Sequence, residues 1–596
     1  MNIFIRPKTY LTVLILSLGI LLNSNAQTID VAKKLKGIDP VIEKILKEWN
    51  VPGCGIGIVV KDKLVYTKGY GYRDIAKKLP VTSNTLFQIA SNTKLFTATA
   101  TGFLVEEGKL EWDKPVRNYA PQIKFYNDEL NANVTIRDML SHRTGISRHD
   151  NIWYKSDFTR KELFDRIKYL EPSIALRQGY LYNNLMYAAT GQIIEILSGK
   201  TWEEFVTEKI FSPLEMKNSI FIVEDMLKQP DFMSPYYEKR DTTILLPLPF
   251  YTQQQGLGPA GSVISNIEDL SKWLIAQMNG GKFNGKVIIP KSIIRETMQP
   301  AIPVSGVPEK YFENLNSNYG MGRNTSSYKG HYLTGHGGSI GGIYSNISFM
   351  PADSIGIIVF TNRLSQLPSI IAYTIYDRLL GLPLTPWSER SLLDYYKNKK
   401  TQAEARKKPD NDRIPGTKPS HDLQSYAGVY EDPAYGIMEI KYLNDTLSFT
   451  NNNSSLPLYH YHYDRFVSPD DEILGKSSVT FLTNAQGDID QLKISMDEKE
   501  VTFTRKADKH LKDPVFLKKL EGQYELNGSA LTIKLLNNEL VVNSAPPQHL
   551  VAYKGNSFRI REFSDQIVEF VFDEKGNVTG CKVTADGKTI QMTKKK

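Results

Sequence analysis

The stretch from Ser388 to Ser420 divides this chain into two parts that cannot share one architecture. It turns charged and carries Pro409, Pro415 and Pro419, the composition of a linker. Before it, apolar residues recur at helical spacing between short alternating runs. After it, helical patterns vanish and short alternating segments broken by Asn, Gly and Asp turns take over, as in small β-sandwiches or barrels. A chain of 596 residues exceeds what one hydrophobic core organises. We therefore expect a mixed α/β domain over residues 27–387, a linker over 388–420, and two all-β domains over 421–508 and 509–596. The β-domains look like copies of each other. Tyr426-Ala427-Gly428-Val429-Tyr430 recurs as Leu520-Glu521-Gly522-Gln523-Tyr524, and Phe481, Gly487 and Ile489 recur at the same spacing as Phe570, Gly576 and Val578.

Within the first part, the pattern predicts a helix over Pro40–Asn50 and two strands, Gly55–Lys61 and Leu64–Gly71, joined by a turn. A long apolar helix follows from Ser91 and stops at Gly108. Further helices are expected at Ile136–Ser141, Leu185–Leu197, Thr201–Ile210 and Ile267–Met278. Strands return at His336, Ser345–Met350 and Ile355–Thr361, with a closing helix at Ser369–Leu380. Strands at both ends with helices between them imply one sheet assembled from the two ends of the domain.

The first 26 residues read as a signal peptide: Arg6 and Lys8, then the apolar run Tyr10–Leu22, then Ser24-Asn25-Ala26 before Gln27. The run is shorter than the ~20 apolar residues of a spanning helix, so we expect export to the periplasm or medium with no stable membrane anchor. The formal charge of +8 is concentrated in this leader, in Lys397–Lys418 and in Lys594–Lys596. No basic groove with interleaved aromatics accompanies it, which argues against nucleic-acid partners. Two cysteines, Cys54 and Cys581, exclude a disulfide framework and read as small buried apolar residues. No phosphate loop, dinucleotide fingerprint or metal-ligand spacing is present, so neither a cofactor nor a metal is expected.

Ser91-Asn92-Thr93-Lys94 places a serine and a lysine three residues apart, on one helical face, as a nucleophile and base would be. A serine hydroxyl needs a neighbour to take its proton, and the start of a helix favours the negative charge that develops on attack. A free lysine is protonated at neutral pH, so Lys94 requires desolvation or a second group that relays protons. Tyr182, in Tyr182-Asn183-Asn184, supplies that group, and Asn184 would orient Lys94 and the substrate. His336-Gly337-Gly338-Ser339 opens a strand whose glycines admit close approach of a substrate, with the Ser339 and Ser91 N–H groups as an oxyanion site. Arg148-His149-Asp150 is a polar cluster that a loop hydrogen-bond network explains equally well.

These motifs carry a resemblance. Residues from about Asp39 to Leu380 resemble the serine hydrolase family of class C β-lactamases, D-Ala-D-Ala carboxypeptidases, D-aminopeptidases and related esterases. Phe87–Lys94 looks like its nucleophile motif, Tyr182-Asn183-Asn184 its Tyr-x-Asn motif and His336-Gly337-Gly338 its Lys-Thr-Gly or His-x-Gly motif. Leu140–Gly145, Phe211–Met216 and Gly258–Ser262 are supporting matches. The resemblance implies an antiparallel sheet flanked by helices, an all-helical lobe, and a site between them, followed here by two barrel or lipocalin-like domains. It also implies Ser91, Lys94 and Tyr182 as catalytic residues and Asn184, His336, Gly337, Gly338 and Ser339 as substrate-orienting ones. The third motif lacks the lysine and hydroxyl of a β-lactamase, so β-lactam hydrolysis is expected to be weak. The expected substrates are amides, D-residue peptides, cell-wall fragments or esters. Acyl transfer, and a non-turnover penicillin-binding receptor, are the alternatives. The β-domains could also serve as partner-binding or oligomerisation units that gate the cleft.

Overall fold

The computed structural model describes residues 30–252, 256–306, 308, 310–407, 412–497, 499–585 and 587–595. The leader expected over residues 1–26 lies outside the described residues.

The elements that position the site are α1 (Ile38–Glu48), β1 (Gly53–Val60), β2 (Lys63–Asp74), α2 (Thr93–Glu106), α3 (Asn184–Ser198), α4 (Ile267–Met278), β3 (His331–Ile340), β4 (Ile343–Met350), β5 (Ile355–Thr361), α5 (Leu367–Leu380) and α6 (Trp387–Lys407). The sheet has nine strands, in the order Ile302–Pro303, Asn314–Tyr319, Asn324–Tyr328, β3, β4, β5, β1, β2, Leu79–Pro80. As the pattern implies, the two ends of the domain meet in it: β1 runs antiparallel to β5 from Cys54↔Thr361 to Val60↔Ile355.

One face of β1 and β5 presents Ile56, Ile58, Ile357 and Val359 to Ile42 and Ile45 of α1 and to Ile371 and Ile375 of α5. Burying each such side chain contributes about 1.5–3 kcal/mol. The opposite face carries Ile358 and Phe360, packed with Ile267, Leu270 and Leu274 of α4. There β1 has glycine instead of a side chain: a Cβ on Gly57 would stand 2.5 Å from Ile267 Cγ2, so α4 can lie on the strand only because that atom is missing.

The helix expected from Ser91 begins instead with a tight turn, Ala90–Asn92, and becomes α-helical at Thr93. Ala90 has φ +50°, which sets the chain off axis before the helix starts. Two buried threonines on α2 are satisfied within the helix, Thr99 donating to Leu95 O (2.9 Å) and Thr101 to Thr97 O (2.8 Å), while Thr97 donates to the distant Pro259 O (2.6 Å).

The charged stretch 388–420, expected as a linker, contains most of α6. This helix buries little beyond Ser388, so no apolar stripe announces it. Remote polar partners hold it: Trp387 Nε1 donates to Tyr328 Oη (3.0 Å), Arg390 pairs with Glu313 (2.7 Å), Lys399 with Glu238, and Arg406 with Asp241 (2.6 Å).

Both β-domains are closed eight-stranded barrels, with strands running from Gly428 to Arg505 and from Gly522 to Lys594. The repeated residues do the same job in each. Tyr430 donates to Tyr426 O (2.9 Å) and packs edge-on against Phe481, while Tyr524 donates to Leu520 O (2.7 Å) and packs edge-on against Phe570. Cys54 and Cys581 are both buried free thiols.

Candidate active site

Ser91 sits in the tight turn ahead of α2, and Lys94 lies one turn on, fully buried. Lys94 Nζ is 2.8 Å from Asn184 Oδ1, 2.8 Å from Ala260 O and 3.1 Å from Ser91 Oγ. Burial pulls its pKa well below that of a free lysine; the Arg148 charge adds to this, and Asp150 opposes it. A neutral amine has two hydrogens and one lone pair. In that form the two carbonyl oxygens would take the hydrogens, and the lone pair would face the Ser91 hydroxyl.

Asn183 caps α3 by accepting from Met186 N, which fixes Asn184 in the first turn and Tyr182 just ahead of it. Tyr182 Oη donates to Ser91 Oγ at 2.9 Å. Burial raises the Tyr182 pKa far above its ordinary value, so the phenol holds its proton. The supporting motifs have structural roles. Gly258–Ser262 supplies the Ala260 carbonyl to Lys94. From Leu140–Gly145, the ring of His142 lies 4.3 Å from that of Tyr182, and its Nδ1 accepts from Asn183 N (3.1 Å).

The wall opposite is β3. The strand Asn324–Tyr328 pairs with His331–Gly335 and no further, so from His336 to Ile340 β3 is flanked by β4 alone. His336 Nε2 meets Tyr319 Oη at 2.9 Å, and burial pushes its pKa down to about 3. It is a neutral group here. Gly338 abuts the nucleophile turn: a Cβ on it would lie 2.1 Å from Ile89 O. The open edge and the turn at Ser91 share a cleft of about 410 Å³ lined by Ser91, Tyr182, His336, Gly337, Gly338 and Ser339. The structure thus brings every sequence-predicted site residue together, with Asn184 one contact behind at Lys94.

Sequence reasoning missed Tyr180, Asn324 and Tyr344, which also line the cleft, and left Arg148, a further lining residue, undecided between the site and a loop network. Asp150 Oδ1 accepts from Asn184 Nδ2 (3.0 Å) and from Trp153 Nε1 (2.6 Å). That contact turns the Asn184 amide so that its oxygen faces Lys94. The loop cluster Arg148-His149-Asp150 is therefore part of the site, and its only trace in the sequence was two opposite charges two residues apart. Among the described residues, no group of three or more His, Cys, Asp or Glu is placed to hold a metal ion.

The profile of the Beta-lactamase family matches residues 38–380, and that of a domain of unknown function, DUF3471, matches residues 412–505. Unguisins hydrolase ungD of Aspergillus violaceofuscus is 26% identical over 431 residues, covering 67% of this chain and 75% of that protein. Protein flp of Staphylococcus aureus is 28% identical over 350 residues, covering 56% of this chain and 65% of that protein. Among solved structures, the octameric penicillin-binding protein homologue from Pyrococcus abyssi aligns with TM-score 0.53 and 26% identity, over 80% of this chain and 100% of that one.

Proposed function

Because this chain belongs to the Beta-lactamase-fold family of serine hydrolases, we propose that it cleaves amides, peptides or esters through a covalent acyl-enzyme on Ser91. Neutral Lys94 takes the Ser91 proton as Oγ bonds to the substrate carbonyl carbon. The carbonyl electrons move onto oxygen, where the N–H groups of Ser91 and Ser339 receive the charge; each such donor is worth about 3 kcal/mol. The leaving group departs with a proton from Tyr182, which Lys94 replaces. Water then repeats the sequence on the acyl-enzyme and frees Ser91.

The observation that carries this reading is that the fully buried Lys94 Nζ stands 3.1 Å from Ser91 Oγ while Asn184 Oδ1 and Ala260 O occupy two of its other directions. The neutral His336 and the bare Gly337 support peptides, amides and esters, with a D-residue among the candidates, over β-lactams. The relative named a hydrolase supports water over an amine or alcohol as the acyl acceptor. We also propose export with removal of the first 26 residues. An N-terminus at Gln27 in secreted or periplasmic protein is the expected result, and retention of Met1 would count against it.

The direct test is intact-protein mass spectrometry after exposure to a fluorophosphonate, a p-nitrophenyl ester, a D-Ala p-nitroanilide and a penicillin, with product release followed in parallel. Wild type should gain one adduct and Ser91→Ala none. Equal labelling of both proteins would sink the proposal.

A further inference from the structure

Among the described residues that line the cleft, Arg148 is the one with a charged side chain, since His336 is held neutral. Its guanidinium lies 5.0 Å from the centre of the Tyr182 ring, and 55% of its side chain is exposed. Asp150 accepts from its Nε, which leaves the two terminal amino groups in the geometry that suits a carboxylate. Burial works against this charge, but the carboxylates of Asp150 and Asp497 favour it, and an arginine stays ionised in proteins.

An arginine on an exposed loop ordinarily spreads over many rotamers, at an entropic cost when it must bind. Here the loop is clasped by one end of the first barrel. Tyr435 Oη meets His149 Nδ1 at 2.7 Å, and Asp497 Oδ2 accepts from Asn151 N at 3.2 Å, so the contacts fall on either side of Asp150. Asn452 Nδ2 donates to Asn151 O and Tyr154 O, both at 3.0 Å, and Asn453 Nδ2 to Lys155 O at 2.8 Å. Tyr435, Asn452 and Asp497 lie in three separate strand-to-strand turns of the barrel and converge on this one segment. His149, with φ +48°, is held in a conformation that a free loop would seldom keep.

We propose that Arg148 binds a carboxylate on the substrate, and that the first barrel is the element that positions it. The preferred acyl donors are then peptides, amides or esters with a free carboxylate within reach of the scissile bond. This rests on the acyl-enzyme reading above and assigns its substrate class.

The test uses the full chain and two fluorophosphonates that differ only at the end of the alkyl chain, one a carboxylate and the other a methyl group. Labelling rates at Ser91 are read by intact mass, and the ratio of the two rates is compared within each protein, so that a loss of folded fraction cancels. Wild type should favour the carboxylate probe about tenfold or more, as befits a hydrogen bond to a charged group. Arg148→Gln should bring the ratio to about one, and Arg148→Lys should hold an intermediate value. Tyr435→Phe combined with Asp497→Asn should cut the ratio about threefold or more. A wild-type ratio near one, or full preference in Arg148→Gln, would overturn the assignment of Arg148. Full preference in the barrel double variant would overturn the role of the barrel. If neither probe labels wild type, the acyl-enzyme reading itself fails.

Discussion

Gly338→Ala adds one methyl group between the strand and the nucleophile. Its Cβ would fall 2.1 Å from Ile89 O and 2.6 Å from Ser345 Oγ, where non-bonded carbon atoms settle at about 3.5–4.0 Å. The carbonyl cannot swing aside cheaply, because it accepts from Ser345 Oγ (2.9 Å) and from Asn92 N (3.2 Å), and the second bond closes the turn that holds Ser91. The strand must therefore retreat by roughly 1 Å or more, at about 1–3 kcal/mol for overpacking. The retreat carries the Ser339 N–H away from the reacting carbonyl, and a misplacement of that size costs roughly 10²-fold in rate. Gly337→Ala is the control. Its Cβ would meet nothing closer than Tyr344 Oη at 3.3 Å, a hydroxyl that a small side-chain shift relieves, so the rate should stay within about twofold. The assay is the second-order rate of fluorophosphonate labelling at Ser91, with thermal unfolding recorded on the same samples. A folded Gly338→Ala variant that labels at the wild-type rate, or two variants that fall equally, would refute the reasoning.

The acylation rate should rise with pH as Lys94 loses its proton. Because burial holds this amine below a free lysine's value of about 10.4, the limb must lie on the acid side of that value, and His336, pushed down to about 3, adds none between pH 5 and 8. A plot of log rate against pH that climbs only near pH 10 would show a protonated Lys94. The sign for stability follows: between the lowered folded value and ~10.4 the unfolded chain binds the extra proton, so Lys94 makes folding more favourable as pH rises through that window. In the barrels, Tyr430→Phe and Tyr524→Phe each strand a buried carbonyl, Tyr426 O and Leu520 O, at about 1–2 kcal/mol. Hydrogen exchange should place the larger loss in the barrel that carries the substitution, and an equal loss in both barrels would contradict the local role of each bond.

Much of the site was legible because its chemistry is local. Ser91 and Lys94 are one helical turn apart, Tyr182 and Asn184 are two residues apart, and Gly338, in the glycine pair after His336, marks an approach that a side chain would block. The meeting of β1 with β5 followed from alternating runs at both ends of the domain. The barrel repeat was visible because Tyr430 and Tyr524 are each tied to a residue four positions back, so the constraint travels in a short motif. What stayed hidden depends on distant partners. Asp150 matters through Asn184, and Arg148 is placed by turns around residues 435 and 497, none of which periodicity or local spacing can bring together. The helix α6 was hidden for a related reason: its face is charged, and its partners Glu238, Asp241 and Glu313 lie far back in the chain.

The pairing of β1 with β5 also sets a clock. The two strands are separated by roughly 300 residues, so at about 5–20 residues per second synthesis takes roughly 15–60 s to progress from one to the other. During that interval Ser91 has already left the ribosome, while Gly338 and Ser339, the wall it works against, do not yet exist. A nascent chain therefore carries Ser91 and Lys94 before the strand they face, and the cleft is assembled only after the two ends of the sheet have met.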